Sequence, residues 1–263
     1  MKRNVGLLTL LLLVTVVLVP AAFAETFGVE KTMQRPADYG NVILNNFSGR
    51  SGIAPVVFKH WLHRDKFTCR LCHVDLGFAM KVGATRIKEE DIRSGLYCGA
   101  CHNGKIAFSG TKDIHGKAQD NCDRCHSYGK HVKFDKTFAQ VTKGFPRARF
   151  GNKVDWLKAE DLGLIHLQDQ IPGLTIKRKP LKSPKNMVLH AKVKSMPSII
   201  FSHKKHAVWN GCAMCHPYLF GIKKGASTYS MQDIFNGKYC GACHGKVSFP
   251  LLDCRLCHTK DMY

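Results

Sequence analysis

The stretch Gly237-Lys-Tyr-Cys240-Gly-Ala-Cys243-His244 places two cysteines three positions apart and a histidine directly after the second. The same Cys-x-x-Cys-His pattern occurs six times in the 263 residues and uses all 12 cysteines. The six motifs are Cys69-Arg-Leu-Cys72-His73, Cys98-Gly-Ala-Cys101-His102, Cys122-Asp-Arg-Cys125-His126, Cys212-Ala-Met-Cys215-His216, Cys240-Gly-Ala-Cys243-His244 and Cys254-Arg-Leu-Cys257-His258.

The spacing within each motif suits covalent attachment of a haem. Two thiols on one turn of chain can both form thioethers with the vinyl groups of one porphyrin, and the next residue can direct its imidazole at the iron. Six disulfides, zinc sites and thiol redox pairs are the alternatives. None of them accounts for a histidine after all six pairs. The motifs therefore predict six covalently bound haem c groups, with the six motif histidines as proximal ligands.

The chain also contains two copies of one unit. Each copy opens with Phe-x-His-x-x-His, and its second motif reads Gly-x-Tyr-Cys-Gly-Ala-Cys-His. A short helix that the glycine ends is expected before each second motif, over Glu89–Arg93 and Met231–Phe235. The first copy carries an insertion near residues 109–119. The opening histidines are His60 and His63 in the first copy and His203 and His206 in the second.

Phe-x-His-x-x-His ahead of closely spaced Cys-x-x-Cys-His sites resembles the cytochrome c7 triheme module, a relative of cytochrome c3. The resemblance covers both copies. It implies that His60 and His203 are distal ligands of haems 1 and 4, and that His63 and His206 serve haems 2 and 5. The family usually supplies the last distal histidine of a module from between the first two motifs. This chain has no histidine there in either copy.

The distal ligands of haems 3 and 6 must therefore come from elsewhere. Four histidines remain: His115, His131, His166 and His190. We favour His115 for haem 3 over its neighbour His131, and His190 for haem 6 over His166. A methionine ligand such as Met80 or Met231 is a further alternative. An open sixth position on one iron would instead provide a site for a small molecule.

The amino terminus has the features of a targeting segment. Lys2 and Arg3 precede a mostly apolar run, and Ala22-Phe-Ala24 has the form of a signal-peptidase site. The run is shorter than the roughly 20 residues of a membrane-spanning helix. We therefore expect residues 1–24 to be a cleaved signal peptide, with no transmembrane segment after its removal. The mature chain is expected in the periplasm, at the outer membrane or outside the cell.

The remaining chain divides by its motifs. Residues 25–57 form an N-terminal arm, 58–134 a first triheme module, 135–200 a connecting segment and 201–263 a second triheme module. Within the connecting segment, Asn152 is expected to cap a short helix that Gly163 ends. The basic, proline-containing residues 177–185 are expected to be a solvated linker, or alternatively to dock on an acidic partner or a haem propionate.

Composition narrows the fold and function. The chain has 40 Lys+Arg and 19 Asp+Glu, a formal net charge of +21. Six haems would bring about twelve propionate charges that offset much of this excess. Neither zinc-finger spacing nor an aromatic and basic RNA motif is present, so nucleic-acid binding is not expected. So little chain per haem predicts a mostly irregular fold with short α-helices and little β-structure, in which the haems form the core.

These features favour an electron carrier, because bis-histidine haems lack the thioether that raises potential and leave no site for substrate. Its partners would be redox donor and acceptor proteins, other multihaem cytochromes or an extracellular acceptor. A multihaem reductase with one open haem is the alternative enzyme. A subunit of a self-assembled cytochrome filament is the structural alternative.

Overall fold

The computed structural model describes residues 34–128, 136–179 and 182–260. The expected signal peptide and His131 lie outside these residues. The strands are β1 (Asn41–Leu44), β2 (Val56–Lys59), β3 (Met187–Leu189), β4 (Ser198–Phe201) and β5 (His258–Lys260). The helices are α1 (His60–Arg64), α2 (Glu89–Arg93), α3 (Cys122–Cys125), α4 (Phe138–Val141), α5 (Trp156–Asp161), α6 (His203–Asn210) and α7 (Met231–Phe235).

The helices are short and the sheets are small, as predicted from the sequence. The longest of these helices, α6, has eight residues. Several motifs form turns other than α-helical ones, namely a wider π-helical turn over Leu71–Asp75 and tighter 3-10 turns over Tyr97–Ala100, Tyr239–Ala242 and Cys254–Leu256. In the described part of the chain, no helix has the length and apolar character needed to cross a membrane.

Each copy begins with a β-hairpin that leads directly into its first histidine. β1 pairs antiparallel with β2, which runs into His60, and β3 pairs antiparallel with β4, which runs into the helix that starts at His203. The β-branched and aromatic residues of β2 and β4 favour extended backbone. The structural repeat therefore starts before Phe58 and Phe201, in residues that the sequence analysis assigned to the arm and the connecting segment.

The turn before each second motif is the same in both copies. α2 and α7 each end two residues before a glycine in the left-handed region, Gly95 and Gly237, both with φ of +81°. This confirms the predicted helices and their glycine stops. The chain then folds back so that the glycine inside the motif lies under the last helical turn. A Cβ atom at Gly99 or Gly241 would overlap the carbonyl oxygen of Ile92 or Ile234.

The described part of the connecting segment packs against both copies. The buried core contains Trp61 from α1, Trp156 and Ala159 from α5, and Trp209 from α6. Asp155, not Asn152, caps α5 by accepting from the Lys158 amide at 3.0 Å. The predicted cap was wrong because Asn152 Oδ1 accepts from the Trp156 indole at 3.1 Å and from the Val154 amide.

The glycine inside Cys-Gly-Ala-Cys yields the first prediction. Gly241→Ala should lower the free energy of unfolding by about 3 kcal/mol, the upper part of the usual range for overpacking, because the Ile234 carbonyl must move. Gly110→Ala is the matched control, since a Cβ there meets nothing within 4 Å. Thermal denaturation of the two variants measures the difference. Equal stability of both would show that the helix and motif are not in this close contact.

Candidate haem-binding sites

The twelve cysteines of the motifs all lie in the described residues, and all are unpaired. The six-disulfide alternative is therefore wrong. Within residues 34–128, 136–179 and 182–260, no group of three or more His, Cys, Asp or Glu side chains is arranged to hold a metal ion. The cysteines thus remain as six separate pairs, each with its own histidine.

Three of the motif histidines face a second histidine. The rings of His60 and His73 have centres 6.4 Å apart and planes within 9° of parallel. The corresponding distances are 6.3 Å for His63 and His102, and 6.2 Å for His206 and His244. The last two pairs are equivalent in the two copies, and their interplanar angles, 56° and 60°, also agree.

These distances match the space that a metal between two imidazoles requires. A ligating imidazole nitrogen lies about 2 Å from its metal and about 1 Å from its own ring centre, so two rings on opposite sides of one metal have centres roughly 6 Å apart. Imidazoles in direct contact would lie closer. Each pair therefore leaves room for one iron. In each pair, an opening histidine faces the motif histidine of the haem to which the family resemblance assigns it.

The orientation of the rings is fixed by hydrogen bonds to backbone carbonyls. Because a carbonyl only accepts, Nδ1 must carry the proton, and the lone pair of Nε2 stays available for a metal. Nine histidines make this bond, at 2.6–3.1 Å: His60, His63, His73, His102, His126, His203, His206, His216 and His258.

His244 departs from this pattern. Its Nδ1 is buried and makes no hydrogen bond of normal geometry among the described residues, although the nearby Phe249 carbonyl still opposes the burial that lowers its pKa. At the other first and second motifs the acceptor is the carbonyl of a phenylalanine four to six residues later. The equivalent carbonyl of Phe249 instead accepts from the Gly245 amide at 3.1 Å.

The sequence carries one signal for these carbonyl partners, which the expectations above did not include. A phenylalanine follows each first and second motif, as Phe78, Phe108, Phe220 and Phe249. The third motifs use a different acceptor: His126 bonds to the carbonyl of Ala54 at 2.7 Å, and His258 bonds to that of Pro197 at 2.7 Å. Both acceptors lie just before the second strand of their hairpin.

Burial keeps the paired imidazoles neutral. It lowers the pKa of His60, His63 and His244 to about 4. It also lowers the pKa of His73, His102 and His206. At neutral pH these rings are therefore unprotonated at one nitrogen, which is the form that ligates a metal.

The surplus histidines are in a different environment. His115, His166 and His190 are exposed. In the part of the chain that the structure describes, none of the three makes a hydrogen bond from Nδ1 to a backbone carbonyl. Among the described residues, His126, His216 and His258 have no ring contact with a second imidazole. The structure therefore brings together both members of three pairs and leaves the other three motif histidines facing no second ring.

Neighbouring motifs lie close enough for their thiols to interact. Burial raises the pKa of Cys72 to about 12 and that of Cys98 and Cys240 to about 11. The charge on a cysteine of the adjacent motif raises each value further. The interacting pairs are Cys72 with Cys101, Cys98 with Cys125, and Cys240 with Cys257.

The two copies also meet at their motifs. Burial raises the pKa of Cys243 to about 12, and charges on Cys69 and Cys215 raise it further. Cys69 likewise raises the pKa of Cys215. The first motif of the first copy therefore lies beside the first two motifs of the second copy.

Comparison with known proteins agrees with these sites. The model of the family "Cytochrome c7 and related cytochrome c" matches residues 56–127 and 199–260, just over half of the chain. No curated protein sequence matches this chain.

Three solved structures illustrate the similarity. The C-terminal hexaheme fragment of GSU1996 is 28% identical over 88% of this chain and 100% of that chain, with a TM-score of 0.27. A c7-type three-heme cytochrome domain is 40% identical over 30% of this chain and 99% of that chain, with a TM-score of 0.27. The dodecaheme cytochrome c GSU1996 is 27% identical over 84% of this chain and 74% of that chain, with a TM-score of 0.27.

The two matched regions coincide with the two copies of the repeat and contain all six motifs. Six unpaired cysteine pairs, each followed by a histidine, fit six covalently bound haem c groups. The protein is thus a multihaem c-type cytochrome with two tandem modules, and it belongs to the family of cytochrome c7 and related cytochrome c.

Proposed function

We propose that this cytochrome is an exported electron carrier with six low-potential haems, all or most of them ligated by two histidines. The observation that carries the proposal is the set of three imidazole pairs with ring centres 6.2–6.4 Å apart. When bound, the haems supply the Fe(III)/Fe(II) couple. The chain would hold each iron between imidazoles and keeps neighbouring sites close together.

The internal repeat extends this ligation to haem 4. His203 begins α6 as His60 begins α1. The Nδ1 of His60 donates to Gly40, just before β1, and that of His203 donates to Lys185, just before β3. We therefore propose His203 as the distal ligand opposite His216.

Sheet topology supports His190 as the distal ligand of haem 6. Leu189 on β3 pairs with Ile199 on β4, and Ile199 pairs with His258 on β5. His190 follows Leu189 directly, so it lies two strands away from the sixth motif. Two strand spacings are about 10 Å, so the backbone of His190 lies near the sixth motif in the fold although it is far from that motif in the chain.

The insertion in the first copy supports His115 for haem 3. The insertion folds as a small hairpin closed by a bridge between Lys112 and Ala118. Buried Asn121 donates to the carbonyls of Ser109 at 2.9 Å and Lys112 at 3.1 Å. Because Cys122 follows Asn121, this hairpin is anchored at the third motif, and His115 is part of it.

The expected potentials, location and partners follow from this ligation and from the family. Bis-histidine haems lack the methionine thioether that raises potential. Family members are typically exported, and the amino-terminal residues 1–24 have the form of a signal peptide. We propose that the protein receives and delivers electrons through protein redox partners, including other multihaem cytochromes, in the periplasm or beyond it.

Carbon monoxide tests whether every iron is closed. Addition of carbon monoxide to the dithionite-reduced protein should leave the Soret band unchanged, because two strong ligands occupy each iron. A spectral change that corresponds to one haem in six would show that one iron is open and contradict bis-histidine ligation of all six. It would favour the reductase alternative, for which His126 and His258, without a facing imidazole in the described residues, mark the haems to examine.

Removal of a paired histidine should open one defined haem. His63→Ala and His206→Ala, at equivalent positions, should each produce a high-spin signal from one haem in six in the electron paramagnetic resonance spectrum. His166→Ala, at an exposed histidine without a carbonyl partner, is the control and should stay low-spin. If His63→Ala resembled the control, the 6.3 Å pair with His102 would not be a ligand pair.

The assignments for haems 3 and 6 have a separate test. His115→Ala and His190→Ala should each give the same one-haem high-spin signal, because each removes a proposed distal ligand. His131→Ala should not. If His131→Ala opened a haem and His115→Ala did not, the ligand of haem 3 would be the alternative one.

A further inference from the structure

The first motif of one copy touches the start of the second copy. Arg70, inside the first motif, lies so close to Gly211 that a Cβ there would be 2.5 Å from Arg70 Cδ. Gly211 directly precedes Cys212 of the fourth motif. Arg70 Nε donates to Asp169 Oδ1 at 3.0 Å, so the connecting segment holds this contact in place.

Arg64 occupies the same junction and reaches the fifth motif. Its Nη1 donates to the Val247 carbonyl at 2.7 Å, and the Val247 amide donates to the Cys243 carbonyl at 3.0 Å. Its guanidinium lies 4.5 Å from the ring centre of Trp156 and 5.0 Å from that of Trp209. Arg64 therefore contacts the connecting segment and two parts of the second copy.

This guanidinium has no anionic partner in the part of the chain that the structure describes. No described carboxylate forms an ion pair with it, and its Nε is buried without a hydrogen-bond partner. An arginine guanidinium stays protonated at neutral pH, and this one lies near Cys69 of the first copy and Cys243 of the second. The side chain is thus a fixed positive charge at neutral pH, held close to a thiol from each copy.

The position is specific to the junction and is not part of the repeat. Phe58-Lys-His-Trp-Leu-His-Arg64 corresponds to Phe201-Ser-His-Lys-Lys-His-Ala207, so the second copy has alanine at this position. A residue needed for ligation itself would be expected in both copies. A residue needed where the copies meet is needed only once.

We infer that Arg64 is the positioning residue of the junction between the two modules, where it holds haem 1 beside haem 5 and favours the reduced state of both. The inference rests on the proposed electron-transfer function. Reduction adds one negative charge to a haem, and a nearby positive charge stabilises that state. A unit charge about 10 Å away, at an effective dielectric constant of about 20, changes such an equilibrium roughly tenfold.

A redox titration followed by NMR tests the inference, because the methyl signals of each oxidised haem are resolved separately. In Arg64→Gln, the ratio of reduced to oxidised haem at a fixed potential should fall about tenfold for haems 1 and 5, which is a shift of about 59 mV for a one-electron couple. Haems 3 and 6 should change by less than about twofold. Arg50→Gln, which removes an exposed arginine, is the control and should change none of the six.

This inference would be overturned if Arg64→Gln and Arg50→Gln gave equal titrations. The proposed function would still stand if both variants bound six haems and did not bind carbon monoxide. Arg64→Lys covers the case in which the glutamine variant does not accumulate. Lysine keeps the charge but lacks the planar guanidinium group. The ratios of reduced to oxidised haem should therefore stay within about twofold of those of the unsubstituted protein for haems 1 and 5. A tenfold fall in the lysine variant would show that the charge of Arg64 is not the cause.

Discussion

The structure depends on one geometric feature, the pairing of imidazole rings whose centres lie 6.2–6.4 Å apart. His60 and His63 lie on a single helix of five residues, yet they face different motif histidines. Two haem sites must then adjoin one short helix. The hairpin before α1 supplies carbonyl acceptors, Gly40 for His60 and Lys59 for His63, that direct both rings. The second copy reproduces the arrangement of His63 and His102 with His206 and His244.

The parts of the fold that the sequence predicts are those in which neighbouring residues determine the outcome. The motifs, the unpaired cysteines, the helices α2 and α7 and their glycine stops follow from spacing and backbone conformation. The same local rule failed at Asn152, because its side chain is used by the Trp156 indole and Asp155 takes over the cap. Both residues are good cap formers, and the preference for a residue type does not say which of two neighbouring side chains is used elsewhere.

The features that the sequence does not reveal are long-range contacts. The core of Trp61, Trp156 and Trp209 joins three separate segments, and no periodicity relates them. The carbonyl acceptors of His126 and His258 lie 72 and 61 positions away in the chain. The two acceptors are equivalent in the fold because each lies just before the second strand of its hairpin. The proposed ligand of haem 6, His190, is likewise far from its motif in the chain.

The excess of positive charge also has a structural use beyond balancing propionates. Arg70 is buried against Asp169, and Arg64 is stacked between two tryptophans at the point where the copies meet. The connecting segment therefore packs against both copies and holds the first motif of one copy beside the first two motifs of the other. Cysteines of successive motifs therefore lie near one another through both copies, from the third motif to the sixth.

The six proposed haem sites form one continuous series, with the first motif at the junction between the two copies. Anomalous diffraction from crystals of the haem-loaded protein at the iron absorption edge measures this directly. We expect six iron positions in which the gap between the copies is no wider than the gaps within them, with iron 1 closer to irons 4 and 5 than irons 2 and 3 are. Two separate groups of three irons, divided by a wider gap, would contradict it.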